Sequence, residues 1–295
     1  MNKDIPPVSD LLSDSAKQLR FDVNGLSIQA QAWGDPSGIP IFAVHGWLDN
    51  SASFYRLAPL MNQFYVVAID CAGHGLSDHR SRQEPYNIWQ DIGEIFAVAD
   101  ALGWDRFGLL GHSRGAIICT LAAGTFPERI SHLGLLDGML PPPTPAGDAP
   151  QQLAQSIIDT RRTRRQSVYD DYEPMIQARM HGLWSLSRAA ASALVMRGSK
   201  SVEGGYQWCA DPLLKAASSL KLTQEQIQAF VDRIEAPVKL VLAKGGTVAR
   251  YPAQVKGLER FNPEVLPGTH HFHMEEQAEL VAESMVDFFL ECADA

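Results

Sequence analysis

A serine attacks a carbonyl only when its hydroxyl is held clear of its own backbone and a base stands within hydrogen-bond reach. Gly111-His112-Ser113-Arg114-Gly115 has the form that meets the first condition. The pentapeptide joins an apolar run ending Phe107-Gly108-Leu109-Leu110 to a helical stretch, Ala116 to Ala123. A serine at the tip of such a strand-to-helix turn needs glycines on both sides, because a Cβ there collides with the neighbouring strand or helix. For the base, nine histidines are available, and only Gly268-Thr269-His270-His271-Phe272-His273-Met274-Glu275 places them in a loop between the last predicted strand and the last predicted helix. His270, two residues after Gly268 and five before Glu275, is the first choice and His271 the second, with His273 expected to pack at the helix start.

An imidazole that shuttles a proton needs an acid to orient it. The predicted strand Val238 to Leu242 cannot supply one, since no Asp or Glu occurs from Ala236 to Leu258. The preceding predicted strand ends Leu135-Leu136-Asp137-Gly138, which puts a carboxylate 24 residues after Ser113 and makes Asp137 the expected third member. The alternative is a structural Asp137 beside a Ser-His pair. Charge developing on the substrate oxygen must meet fixed donors, each worth roughly 3 to 4 kcal/mol. The backbone amides of Trp47 and Arg114 are the expected pair, with Gly46 letting the chain turn in close. His45 is expected to brace that loop, and Asp49 and Asn50 to orient it or cap the stretch ahead of Ser53. No histidine here has a second ligand at metal spacing, so no metal is expected. Arg114 puts a cation beside the pocket or forms a structural ion pair.

These groups must be carried by elements. Short apolar runs at 21–23, 27–33, 41–44, 66–69, 107–110 and 133–136 alternate with helical stretches at 53–61, 87–102 and 114–125, a pattern that reads as a mostly parallel sheet covered by helices. The first two runs form a hairpin turned at Asn24-Gly25. The 87–102 stretch carries Ile88, Ile92, Ile95, Phe96, Ala99 and Leu102 at helical spacing, a core stripe. Pro141-Pro142-Pro143-Thr144-Pro145 then breaks the pattern. Residues 1–140 and 236–295 are expected to form the core domain and 141–235 a helical cap, in which Trp184, Tyr206 and Trp208 are candidate pocket walls or ordinary packing residues. Strands resume at 238–242 and 264–266. A final helix over 275–290 is expected to bury Leu280, Val281, Met285 and Phe288.

The 295 residues carry a net charge of -9, with 45% hydrophobic and 20% charged residues, ordinary values for a soluble chain. The cap, with eleven Lys and Arg against ten Asp and Glu, is less acidic than the rest. The one dense basic cluster, Arg161-Arg162-Thr163-Arg164-Arg165, reads as a solvated helix face, or as a grip on an acidic or phosphorylated part of a substrate; nucleic-acid binding has little electrostatic support. No apolar run approaches the roughly 18 residues of a membrane span, and Met1 to Pro7 lacks the apolar segment of a secretory signal. Cys71, Cys119, Cys209 and Cys292 form no C-x-x-C pair and are expected as free thiols in the cytoplasm.

With these residues in view, the chain resembles the α/β-hydrolases, and more narrowly the serine hydrolase-like protein and Kraken group. The likeness runs through His45-Gly46-Trp47-Leu48-Asp49-Asn50, Ala68-Ile69-Asp70, Gly73-His74-Gly75-Leu76-Ser77, the Ser113 pentapeptide, Thr125-Phe126-Pro127-Glu128, Leu135-Leu136-Asp137 and the loop from His270 to Met274, and more loosely through Arg197-Gly198 and Gly204-Gly205. It implies an α/β fold with an eight-stranded, mostly parallel sheet, a helical cap inserted after strand six, and the chain order serine, acid, histidine. Haloalkane dehalogenases of this fold place their acid after strand six, as here, but they and the epoxide hydrolases carry an aspartate where this chain has Ser113. The expected activity is therefore cleavage of a small-molecule carboxylic ester or related acyl substrate through an acyl-enzyme, with no cofactor, no metal and no membrane insertion. The competing expectation is a catalytically silent protein of this fold that binds a small apolar ligand.

Overall fold

The computed structural model describes residues 16–81, 84–162, 164–255 and 257–291. The expected stretch Met1 to Pro7, Thr163 of the basic cluster and Cys292 lie outside the described residues.

Alternation within strands generates the layers. In β3 (Ile39–Val44), Ile41 and Ala43 face one side of the sheet and Phe42 and Val44 the other, all fully buried, so the strand is covered on both faces. The same two-sidedness holds in β4 (Phe64–Ile69), β5 (Phe107–His112), β6 (Ile130–Leu136) and, counting β7 (Ser199–Val202) and β8 (Gly205–Trp208), in β9 (Val238–Gly245). One face receives α1 (Ile88–Ala101) through Ile95, Phe96 and Ala99, and α2 (Arg114–Thr125) through Ile118, Cys119 and Ala122. The final helix, Ala278–Leu290, covers the other face with Val281, Ala282, Met285 and Phe289. Its buried face therefore excludes Leu280, which is exposed, and takes Phe289 where Phe288 was expected.

With β1 (Lys17–Val23), β2 (Leu26–Trp33) and β10 (Glu264–Thr269), the sheet has eight strands in the order β1-β2-β4-β3-β5-β6-β9-β10. β2 runs antiparallel to both β1 and β4; the remaining neighbours are parallel. The β1–β2 turn is at Asn24 and Gly25, both at positive φ, as a two-residue hairpin requires. From β3 the chain moves outward to β4, then returns across β3 to β5. The carboxyl ends of β3 and β5 therefore flank the point where strand order reverses, the place where open α/β sheets hold their ligands.

Between β6 and β9 the chain forms α3 (Ala149–Arg161), α4 (Tyr172–Met180), α5 (Arg188–Gly198), the β7–β8 hairpin and α6 (Gln224–Val231). The hairpin is a departure from the expected all-helical segment, turned at Glu203 and Gly204, with Gly205, also at positive φ, opening β8. α4 and α5 pack on each other through Met175, Ile176, Ala190, Leu194 and Val195, a small core of their own. Buried polar contacts tie this segment to the sheet: Arg197 of α5 donates through Nε to both Asp70 oxygens, at 2.9 and 3.0 Å, and Asn50 donates to the Leu194 carbonyl at 2.9 Å. The expected helix at 53–61 is instead two 3-10 turns, Ser51–Phe54 and Ala58–Leu60. Among the described residues, no helix is long and apolar enough to cross a membrane.

Candidate active site

Ser113 sits between β5 and α2 at φ 54°, ψ -116°, a backbone region that L residues adopt only under strain of order 1–3 kcal/mol. Close packing holds it there. A Cβ on Gly115 would lie 2.0 Å from the Val44 carbonyl oxygen, and one on Gly111 2.5 Å from Ala116 Cα. The Ser113 amide donates to the Leu136 carbonyl at 2.9 Å, anchoring the turn to the end of β6.

The Ser113 hydroxyl lies 2.9 Å from His270 Nε2, and His270 Nδ1 lies 2.5 Å from Asp137 Oδ2. A carboxylate can only accept, so Nδ1 carries the proton and Nε2 is left to accept from the serine. Burial pushes the His270 pKa below its ordinary 6.5, although the bond to Asp137 acts in the opposite direction. The imidazole therefore stays neutral, and able to act as a base, down to a lower pH than an ordinary histidine. We expect kcat/KM for a p-nitrophenyl ester to lose its acid limb with a midpoint below 6.5; a limb centred above that value would contradict this placement.

Asp137, itself at φ 48°, reaches across to the end of β9. There the Ala243 amide donates to Oδ1 at 3.0 Å, and the Thr247 amide and hydroxyl donate to Oδ2 at 2.9 and 3.0 Å. The β9 tip lacks an acid of its own but serves as the acid's cradle. Gly246 is part of that fit, since a Cβ there would lie 2.2 Å from Asp137 Oδ2.

The backbone amides expected to face a substrate oxygen lie at the ends of β3 and β5. Arg114 opens α2, and the first amides of a helix have no intrahelical acceptor, which leaves its N–H for a ligand. Trp47 follows β3 in a loop with Leu48 at φ 61°. His45 braces that loop as expected: its Nδ1 donates to the Gly46 carbonyl at 2.7 Å and its Nε2 accepts from the Cys71 amide at 3.0 Å. The Arg114 guanidinium is committed to Asp91 at 2.5 Å, the structural ion pair among the two expectations.

Further contacts lay beyond sequence reasoning. His112 donates from Nε2 to the carbonyl of His270 at 2.9 Å, joining the nucleophile's strand to the base's loop. Asp49 does not cap the following turn, a task done by Asn50. It is buried and accepts from His271 Nε2 at 3.1 Å and from Arg179 of α4. Burial alone would raise the Asp49 pKa, yet His271 and Arg179 hold it well below the carboxylate range. Asp49, His112 and His271 lie close enough to hold a cation, their ligand atoms all within 4.8 Å, and Arg179 already supplies the positive charge there. His271 thus faces Asp49 and not Ser113. His273 packs in the turn Phe272–Met274 and bonds to Ser53 at 2.9 Å.

Trp184 stacks on the His270 ring, centroids 4.3 Å apart and planes inclined by 20°. With Ile117, Leu140 and Leu183 it lines a cavity of about 150 Å³ that contains Ser113 and His270. The other two aromatics of the segment 141–235 do not border this cavity. Tyr206 packs against Tyr172 at 4.0 Å, and Trp208 borders a separate cavity of about 430 Å³. Both sit on the β8 strand and pack against the core that α4 and α5 share. A third cavity, of about 650 Å³, is bordered by Trp47 and Arg114.

The family model described as alpha/beta hydrolase fold matches residues 39–275, a span that includes all three members of the Ser-His-Asp arrangement. The chain belongs to that family. It is 31% identical to serine hydrolase-like protein 2 of Homo sapiens, over 93% of this chain and 94% of that protein. It is 29% identical to the serine hydrolase-like protein of Danio rerio, over 93% and 88%. Among solved structures, a hypothetical protein from Pseudomonas aeruginosa PAO1 superposes with a TM-score of 0.88 at 42% identity, over 92% of this chain and 99% of that one.

Proposed function

We propose that this α/β-hydrolase cleaves carboxylic esters, or related acyl substrates, by a Ser-His-Asp mechanism. The observation that carries the reading is the continuous hydrogen-bond chain from Ser113 through His270 to Asp137. As Ser113 Oγ attacks the acyl carbon, His270 Nε2 takes its proton and the carbonyl electrons move onto oxygen, facing the amides of Trp47 and Arg114. The tetrahedral adduct collapses, the C–O bond to the alcohol breaks, and His270 returns the proton to the leaving oxygen. Water, deprotonated by the same imidazole, then attacks the acyl-enzyme, and the proton goes back to Ser113 as the acid departs. Asp137 stays ionised throughout, holding the imidazolium. In this reading the segment 141–235 is the cap over the site, with Trp184 as its contribution to the substrate wall, and no cofactor or metal takes part. The free, buried thiols of Cys71, Cys119 and Cys209 support a cytoplasmic setting.

A fluorophosphonate probe tests the reading directly. Stoichiometric labelling that maps to Ser113, and that disappears when His270 is replaced by Ala, is the expected result. Tight retention of small apolar ligands with no adduct at Ser113 would support the catalytically silent binding protein instead.

A further inference from the structure

The cavity of about 430 Å³ has a wall chemistry at odds with the rest of the chain. In a protein of net charge -9, it is lined by Arg164, Arg165, Arg179 and Lys215 against one acid, Asp211. That acid is already occupied: it accepts from the Tyr86 hydroxyl at 2.7 Å and from the Leu213 amide at 2.9 Å, and has His79 at 3.6 Å. Arg179 is spent on Asp49, and Arg164 stands 3.8 Å from Asp159. Arg165 and Lys215 are exposed and pair with no carboxylate among the described residues. Two exposed cations line one concavity whose single carboxylate, Asp211, is buried and bonded elsewhere, an arrangement that favours the entry of something negative.

This cavity belongs to the neighbourhood of the reaction. Leu48, next to the oxyanion residue Trp47, forms part of its wall, and Lys215 is shared with the cavity of about 650 Å³ that Trp47 and Arg114 border. The Trp47 indole is fastened to the Leu214 carbonyl at 3.1 Å, so the residue preceding Lys215 is fixed against the oxyanion loop. By contrast, the cavity that contains Ser113 measures only about 150 Å³ and, beyond Ser113, Asp137 and His270, is lined mostly by apolar side chains. A substrate with its scissile carbonyl at Ser113 can put a small apolar group there. Anything larger exceeds that volume, and the two roomier cavities are bordered by residues close by in sequence: Arg114, which follows Ser113, with Trp47 in one, and Leu48, which follows Trp47, in the other.

We propose that the substrate carries an anionic group, a carboxylate or a phosphate, that seats between Arg165 and Lys215 while the ester or thioester lies at Ser113. The proposal rests on the acyl-hydrolase reading and adds the charge of the substrate's far end. Because the anion sits away from the reacting atoms, its contribution is to binding and appears chiefly in KM.

Two matched pairs of substrates test it and separate the sources of charge. The p-nitrophenyl monoester of adipic acid against p-nitrophenyl hexanoate isolates a carboxylate; S-acetyl-4′-phosphopantetheine against S-acetylpantetheine isolates phosphate. At low ionic strength the anionic member of at least one pair should have a kcat/KM roughly tenfold above its neutral partner, as two charge-assisted contacts allow. That ratio should shrink as salt brings the screening length to about 3 Å near 1 M. In Arg165→Glu/Lys215→Glu the ratio should fall to one or below, and in Arg165→Lys it should persist. Arg165→Gln/Lys215→Gln, checked by thermal melting, serves if the reversed pair does not fold. Equal kcat/KM within both pairs, or a preference that survives both double variants, overturns the proposal while neutral-ester turnover leaves the acyl-hydrolase reading standing. If none of the four compounds is hydrolysed, that reading falls. Calorimetric titration of Ser113→Ala with 4′-phosphopantetheine and with adipate still decides the seat, since absence of binding by both overturns it.

Discussion

Ser113→Ala lowers kcat for p-nitrophenyl butyrate by about 10⁶-fold, the loss expected when the nucleophile of a cooperating triad is removed. The melting temperature should change little. Among the described residues the Ser113 hydroxyl bonds only to His270 and does not cap α2, and losing it leaves a methyl in place of the hydroxymethyl group. Alanine at φ 54° bears the same backbone strain as serine, so the strain is unchanged. Residual turnover above the uncatalysed rate should persist, because the Trp47 and Arg114 amides still face the carbonyl oxygen. Steady-state kinetics, with a melting curve on the same preparation, check both halves. A variant that retains its rate would mean another group attacks the ester; a variant that loses its rate together with its fold would not assign the nucleophile at all.

The grouping of Ser113, His270 and Asp137 could be read from the chain because each sits where local pattern is strongest. Ser113 lies between glycines at a strand-to-helix junction, Asp137 ends a strand, and His270 follows a strand in a glycine-marked loop. The strands were legible for a similar reason: runs such as Ile41 to Val44 are apolar at every position, as burial on both faces demands. What holds the triad in place was not legible. Thr247 bonds to Asp137 across 110 residues, and Arg179 to Asp49 across 130, and no spacing rule announces either. The stretch after Asn50 reads as a helix from its apolar content. It forms two separate 3-10 turns, with Pro59 starting the second and Phe54, Leu57 and Met61 drawn into the core beneath the sheet. In the last helix the register slipped because the helix begins at Ala278, after the turn Phe272–Met274, and not at Glu275. Ala278, Val281, Ala282, Met285 and Phe289 then form the buried face. Gly204-Gly205 was visible as a likeness to relatives, yet its physical meaning is a hairpin in which a Cβ on Gly205 would lie 2.0 Å from the Tyr169 carbonyl oxygen.

Asp137→Asn tests the most unusual part of the design, an acid borne by β6 and cradled by β9. The native carboxylate only accepts, and it meets four donors: the Ala243 amide at Oδ1, and His270 Nδ1 with the Thr247 amide and hydroxyl at Oδ2. Asparagine offers one acceptor oxygen and one donating NH₂. With the NH₂ at the Oδ2 position, it opposes the Thr247 amide and forces Nδ1 of His270 to accept, which leaves Nε2 protonated and unable to take the serine proton. With the NH₂ at the Oδ1 position, the imidazole keeps its tautomer but the buried Ala243 N–H faces another donor. An unpaired buried amide costs about 1–3 kcal/mol in either arrangement, so stability should fall by that amount. The rate distinguishes them. The Thr247 hydroxyl can turn to accept from the NH₂, so each arrangement leaves one amide unpaired; the Ala243 amide orphaned in the second is fully buried whereas Thr247 is half-buried, so the first is favoured. We therefore expect kcat/KM to fall by about 10⁴-fold, as it does when a triad base is held in the wrong tautomer. Ester kinetics and denaturant unfolding measure the two effects together. Loss of stability without loss of rate would make Asp137 a structural residue beside a Ser-His pair, and loss of rate with stability unchanged would mean that Thr247 and Ala243 are not its cradle.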